Sequence, residues 1–230
     1  MTSHHTSLRQ AFAQPAALTL FLFGFASGLP FLLVGGTLTV WLKDSGISLE
    51  DIGLISLASL AYAFKFIWAP LVDRFQLPLL RRLGQRRSWL LAAQLLLAAS
   101  LLLMSLVAPG GSLPVFVALT VLAGFAGATQ DVVVDAYRIE IAPQEQQGAL
   151  AATYTLGYRF ALLISGALAL LLADHLPWPL IYQLMAALVG VIMLATLWAS
   201  EPDVGPRHPE VAGESLLTTL RTSIVGPFRD

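Results

Sequence analysis

The chain has 230 residues, of which 57% are apolar and 12% are charged, and its formal net charge is −1. A soluble domain carries about 25% charged residues, so this composition, with a mean hydropathy of +0.74, is that of an integral membrane protein. The chain contains no cysteine, which excludes disulfides, thiolate metal sites and cysteine nucleophiles, and without a basic tail no nucleic-acid partner is expected.

Six apolar stretches are long enough to cross a bilayer, since a transmembrane helix needs about 20 apolar residues. They cover residues 16–42, 52–72, 89–107, 113–134, 149–173 and 180–199. The first is too long for a cleaved signal peptide and is expected to remain as a span. Helices are predicted throughout, because a barrel would show short alternating segments. The predicted fold is therefore an all-α integral membrane bundle with six transmembrane helices.

The lysines and arginines fall mainly on one side of these spans. Arg9, the arginines between residues 74 and 87, Arg138 and those after residue 200 share that side, and the other side holds Lys43. The positive-inside rule therefore predicts that both termini are cytoplasmic. Residues 1–15 would form a tail, residues 16–199 the bundle, and residues 200–230 a cytoplasmic linker with a short amphipathic surface helix near residues 216–224.

The first two spans contain residues that are unusual inside a membrane. Gly24 and Gly28 have the G-x-x-x-G spacing that lets another helix approach closely. Pro30 removes a backbone hydrogen bond, so a helix break is predicted at Gly28 and Pro30, either beside a transport pathway or as a packing feature. Lys65 in the second span either extends to the cytoplasmic face or pairs inward with a carboxylate, and Tyr62 on the same face favours the second alternative.

The loop after the second span combines an acid with several arginines. Asp73 and Arg74 open this loop, and Arg86 and Arg87 close it. An acid at a helix end near a dense arginine turn can form a conformational latch between neighbouring helices on the cytoplasmic side. The alternative is that these charges only set the orientation of the helices.

The fourth and fifth spans carry the remaining candidate site. Asp131 and Asp135 are four residues apart at the end of an apolar segment, so a helix places them on one face. They are either a functional site or simple caps at the cytoplasmic surface. Arg159 lies about ten residues into the fifth span, where an arginine costs at least about 2.5–3.5 kcal/mol on insertion scales. Asp131 or Asp135 is its predicted partner, in a structural pair or a pair that handles substrate.

Several stretches resemble one family of transporters. Residues 23–30 (FGFASGLP), 65–74 (KFIWAPLVDR), 129–138 (TQDVVVDAYR), 157–159 (GYR) and 165–169 (SGALA) are similar to the AmpG-type muropeptide permeases of the major facilitator superfamily. The resemblance covers residues 16–203 and implies the N-terminal half of such a carrier, with six helices in a 3+3 repeat. Residues 227–230 (PFRD) resemble the approach to a seventh helix, so the chain is expected to be truncated or completed by a second six-helix half.

The resemblance also implies a function. It implies proton-coupled import of anhydro-muropeptides (N-acetylglucosamine-anhydro-N-acetylmuramic acid, with or without a peptide) across the bacterial inner membrane. The family serves cell-wall recycling and, in some bacteria, β-lactamase induction. Asp131 and Asp135 are then predicted to carry the proton with Arg159 as counter-charge. The candidate substrate-binding residues are Arg159, Tyr62, Lys65, Tyr154, Tyr158 and Gln130.

The expected partners are membrane lipid, an amino-sugar substrate and the second half, with no cofactor and no metal. One alternative function is an acetyl-coenzyme A carrier of the same wider family, and another is a membrane interaction module that moves no solute. An intramembrane enzyme is not predicted. The G-x-S-G and late histidine of a rhomboid-like protease and the D-G-x-x-A-R segment of an alcohol phosphatidyltransferase are both missing.

Overall fold

The computed structural model describes residues 15–203, which are helical almost throughout and contain no strand. The tail and the surface helix predicted near residues 216–224 lie outside the described residues. The α-helices are α1 (Pro15–Val34), α2 (Gly36–Asp44), α3 (Leu49–Ser56), α4 (Leu60–Phe64), α5 (Ala69–Arg74), α6 (Gln85–Gly111), α7 (Leu113–Glu140), α8 (Gln147–Leu162), α9 (Ala169–Ala173) and α10 (Trp178–Trp198). Short 3₁₀ helices cover Leu57–Ser59, Lys65–Ile67, Pro78–Leu83 and Gln144–Gln146, and a π-helix covers Leu163–Leu168.

The all-α membrane fold predicted from the sequence is confirmed, but the count of six spans is not. Within residues 15–203, five helical stretches are long and apolar enough to cross a membrane. They are Ala16–Asp44, Gln85–Gly111, Leu113–Glu140, Gln144–Ala173 and Trp178–Trp198.

The predicted second span, residues 52–72, is helical but divided into short pieces. Helices α3, α4 and α5 alternate here with the 3₁₀ helices Leu57–Ser59 and Lys65–Ile67. Serine hydroxyls compete for backbone carbonyls in this segment, since Ser56 donates to Ile52 O at 2.8 Å and Ser59 to Ser56 O at 2.6 Å. Pro70 lacks an N–H group and therefore cannot donate a hydrogen bond to the preceding turn. Apolar length alone did not predict these interruptions.

Helix α1 also differs from the prediction at its proline. The helix runs through Gly28 and Pro30 to Val34, and the interruption lies at Gly35, just before α2. The π-helix Leu163–Leu168 lies against the start of α2, because Thr37 Oγ1 donates to the Ser165 carbonyl at 2.6 Å. The helix break predicted at Gly28 and Pro30 is therefore wrong, and the interruption lies five residues after Pro30, at Gly35.

The buried apolar residues form two clusters along the length of the bundle. One contains Leu38, Trp41 and Phe116, and the other contains Phe23 and Tyr137. On α7, Ala126 belongs to the first cluster and residues 132–134 to the second. The polar and charged residues at 129–131 therefore lie at the level between the two clusters.

Candidate functional site

The centre of the site is an ion-pair cluster between Lys65 and two aspartates of α7. Lys65 Nζ bonds Asp131 Oδ2 closely and Asp135 Oδ2 at 3.3 Å. The Asp131 side chain is 15% exposed and the Asp135 side chain is 41% exposed, so Asp131 is the more enclosed carboxylate. Of the two alternatives predicted for Lys65, the structure therefore has the one in which it pairs inward with a carboxylate. One ammonium thus bridges two carboxylates inside an apolar bundle.

Tyr154 and Arg138 extend this cluster. The Tyr154 hydroxyl donates to Asp131 Oδ1 at 3.3 Å, and Arg138 lies 3.8 Å from Asp135 Oδ1. The Arg138 guanidinium also lies over the Tyr154 ring, 5.1 Å from its centroid, a distance that gives a cation–π attraction. The two cations balance the two carboxylates, so the network carries no net formal charge. Arg138 is not among the site residues that the sequence predicts.

Close helix packing brings α8 to this cluster. A Cβ added to Gly24 or Gly28 on α1 would overlap the carbonyls of Tyr154 and Tyr158, and one added to Gly157 would overlap the Phe21 carbonyl. Only residues without side chains permit this approach of two backbones. The G-x-x-x-G spacing of α1 therefore has the packing role that the sequence predicted.

A second close contact holds the residues on either side of Lys65 against α7. Gly127 leaves room for the Tyr62 hydroxyl, which an added Cβ would overlap. Trp68 Nε1 donates to Thr129 Oγ1 at 3.1 Å, and its ring packs on Phe125 with centroids 5.0 Å apart. These contacts on either side of Lys65 hold its ammonium toward Asp131.

Arg159 does not take the place predicted for it. Among residues 15–203 the ion pairs of Asp131 and Asp135 are made by Lys65 and Arg138, and Arg159 makes none with either. Its side chain is exposed and lines an open groove with Ala151 and Thr155 on the outer face of α8. The predicted pairing is therefore wrong. Depth along a helix gave no information on the direction in which the side chain points.

Gln130 is buried next to Asp131. It is 1% exposed, and its amide atoms have no hydrogen-bond partner among the described residues. The Ser27 hydroxyl on α1 is likewise buried, and it lies beside Tyr154. Gln130 and Ser27 thus form a polar region within the bundle next to the ionic cluster.

The residues predicted to form a latch meet the C-terminal end of α7 at Glu140, five residues beyond Asp135. Arg86 is 4% exposed, bonds Asp73 Oδ1 at 2.6 Å, and donates to both Glu140 oxygens at 2.8 and 2.5 Å. Three helices, α5, α6 and α7, are thereby joined. The contribution of Glu140 was missed, because 54 residues separate it from Arg86 and no spacing in the sequence connects them.

The end of α10 joins the same region. The backbone N–H groups of Arg86 and Arg87 donate to the Glu201 carboxylate at 2.7 and 3.0 Å, which caps the start of α6. Gly84, with φ of +90°, leaves room for the Glu201 side chain. The Arg87 guanidinium donates to the Thr196 carbonyl at 3.1 Å. Arg74 is half-buried at the end of α5.

Comparison with known proteins identifies the family. The sequence matches the Major Facilitator Superfamily over residues 16–228. The chain belongs to this superfamily. Membership places it among transporters rather than enzymes, as the sequence predicted, and its apolar helices make it a multi-pass inner-membrane protein.

Two relatives within the superfamily agree with the resemblance to AmpG-type permeases. The anhydromuropeptide permease of Escherichia coli strain K12 is 44% identical over 220 residues, which are 95% of this chain and 43% of the relative. The putative transporter AmpG 4 of Rickettsia conorii is 37% identical over 213 residues, which are 92% of this chain and 51% of the relative. The chain thus spans about half the length of these relatives, or less.

Proposed function

We propose that this chain is one half of a proton-coupled carrier that imports anhydro-muropeptides from the periplasm to the cytoplasm for cell-wall recycling. The name of the Escherichia coli relative supports the substrate class. The observation that carries the proposal is the bridging of Asp131 and Asp135 by Lys65 between apolar helices. Ionisable groups at membrane depth are expensive and commonly mark proton or substrate pathways.

In this proposal Asp131 is the proton acceptor and Lys65 replaces Arg159 as its counter-charge. A proton on Asp131 would remove the negative charge that holds Lys65. The freed ammonium could then bind a carboxylate of the muropeptide, while Arg138 keeps Asp135 paired. Substrate and proton would thus be coupled because both compete for the same ion pair.

The tyrosines near the cluster supply contacts for the sugars. Tyr154 and Tyr158 are one turn apart on α8 with ring centroids 6.3 Å apart, and Tyr154 already bonds Asp131. Tyr62 is three residues before Lys65 and presents a hydroxyl without a partner among residues 15–203. Aromatic faces with a few polar groups are typical of small-molecule sites.

A second half is part of the proposal. Alternating access moves two bundles around a site near the membrane midplane, and this chain spans 43% of the Escherichia coli relative. The ion pairs that join Arg86 to Asp73 and Glu140 would then hold the cytoplasmic ends of α5, α6 and α7 together in one conformation and separate in another. Both termini would be cytoplasmic, as the distribution of arginines indicates.

Uptake of labelled N-acetylglucosamine-anhydro-N-acetylmuramic acid tests the proposal. Cells that lack their own permease would express the chain alone or with a matching C-terminal half, and membrane insertion would be checked in both cases. We expect uptake only when both halves are present. If correctly inserted halves together take up none of the disaccharide, the proposed substrate is wrong, and acetyl-coenzyme A uptake is the next assay.

A further inference from the structure

The residues around the ionic cluster are arranged in two layers. Lys65, Asp131 and Tyr154 form the first layer. One turn away along each of the three segments lie Tyr62, Gly127 and Tyr158, respectively. Because the segment of Tyr62 and helix α7 run opposite to α8, all three steps lead in the same direction, away from the end of the bundle that holds Arg86. A layer of aromatic residues therefore lies next to the layer of charges.

Phe31 of α1 completes the aromatic layer. Its ring centroid lies 5.7 Å from that of Tyr62 at an interplanar angle of 81°, and 6.5 Å from that of Tyr158 at 52°. The Phe31 side chain is nevertheless 44% exposed, so part of the ring is open to a ligand. The exposed Phe31 ring has partly polar surroundings, because its neighbours Tyr62 and Tyr158 lie one turn from Lys65 and Tyr154.

The groups beside Phe31 indicate what it binds. A pyranose ring has one apolar C–H face, which packs on an aromatic ring, and a rim of hydroxyls, which need hydrogen-bond partners. The Tyr62 hydroxyl lies over Gly127, is buried, and has no partner among the described residues. A buried polar group without a partner is unfavourable, so a ligand hydroxyl that paired with it would be favoured. A lipid chain offers no such hydroxyl.

We propose that Phe31 is the stacking platform for an amino-sugar ring and sets the preference of this site for sugar over free peptide. The inference rests on the proposed function for the identity of the sugar. It adds that the two layers bind different parts of the substrate. The charged layer binds a carboxylate and responds to protons. The aromatic layer, formed by Phe31, Tyr62 and Tyr158, recognises the sugar through its apolar face.

Binding to the purified chain in lipid nanodiscs tests this assignment without requiring transport. The probe is N-acetylglucosamine-anhydro-N-acetylmuramic acid, titrated with saturation-transfer NMR on the sugar-ring protons. We expect Phe31→Leu to weaken binding at least about tenfold, because the apolar volume is kept but the aromatic face is lost. Phe31→Tyr should retain binding within about threefold. Phe160→Leu is the matched control, since Phe160 is 48% exposed and packs on Phe21 outside the layer.

Two results would overturn the inference. One is equal affinity of the unmodified chain and Phe31→Leu for the disaccharide, and the other is a sugar signal that is lost equally in Phe160→Leu. Uptake by the two co-expressed halves separates this failure from that of the proposed function. The same uptake assay is repeated with the free peptide portion of a muropeptide added as a competitor. If Phe31→Leu takes up the disaccharide normally and the peptide competes no better than with the unmodified chain, the stacking role of Phe31 is refuted and the carrier proposal stands. Absence of uptake by the unmodified halves refutes the carrier proposal, while the nanodisc titration still decides on Phe31.

Discussion

Replacing Arg86 by glutamine is expected to destabilise the bundle by about 3–5 kcal/mol, the usual cost of breaking a buried ion pair. Arg86 is 4% exposed and donates twice to Glu140, which is itself 16% exposed. Glutamine removes the guanidinium that binds both oxygens of this enclosed carboxylate. The bond to Asp73 adds less than about 1 kcal/mol, because that side chain is 52% exposed and water can replace its partner.

The assay can use the absence of cysteine in the chain. Ser100→Cys gives a nearly isosteric reporter, 2% exposed, whose reaction with a thiol dye follows unfolding in a denaturant series. Arg82→Gln in the same background is the control, because Arg82 is exposed and surface substitutions usually change stability by less than about 0.5 kcal/mol. The free energy of unfolding of both variants is compared with the reporter alone.

A double variant separates the loss of the ion pair from the loss of packing. Arg86→Gln with Glu140→Gln removes the enclosed charge as well as its partner, so it should be more stable than Arg86→Gln alone. The reasoning is refuted if Arg86→Gln is no more destabilising than Arg82→Gln. It is also refuted if the double variant is the less stable of the two.

Three further changes test the site and its packing. Asp131→Asn should abolish the dependence of disaccharide uptake on external pH, whereas Asp174→Asn, which changes an exposed aspartate, should leave the pH profile unaltered. Arg159→Gln should also preserve that profile, because its side chain contacts neither aspartate of the cluster; a shifted profile would restore Arg159 as counter-charge. Gly157→Val should cost about 1–3 kcal/mol through overpacking, while Gly190→Ala, which meets open space, should change the unfolding free energy by less than about 0.5 kcal/mol.

The ionic cluster could be predicted in part because charge is rare in an apolar chain. Lys65, Asp131 and Asp135 stand out by composition alone, and the helical spacing of the two aspartates puts them on one face. The sequence also predicted close helix packing at Gly24 and Gly28. The sequence did not predict which way each side chain points around the axis of its helix.

Arg159 illustrates that gap. Gly157 faces α1, and two further residues turn a helix by about 200°, so Arg159 points away from the bundle. This orientation of Arg159 follows only once the structure shows that Gly157 faces α1. The Arg86 cluster was incomplete for a related reason, since Glu140 and Glu201 reach it from 54 and 115 residues away.

The backbone contact between α1 and α8 restricts how this half can change shape. Glycines and carbonyls meet there without intervening side chains, so no rotamer change can absorb a sliding movement, and the two helices must travel as one rigid body. The segment Leu49–Arg74 differs, because its α-helical and 3₁₀ pieces meet at several joints. A motion that draws Lys65 away from Asp131 therefore needs to bend only that segment, with the paired helices as its fixed reference.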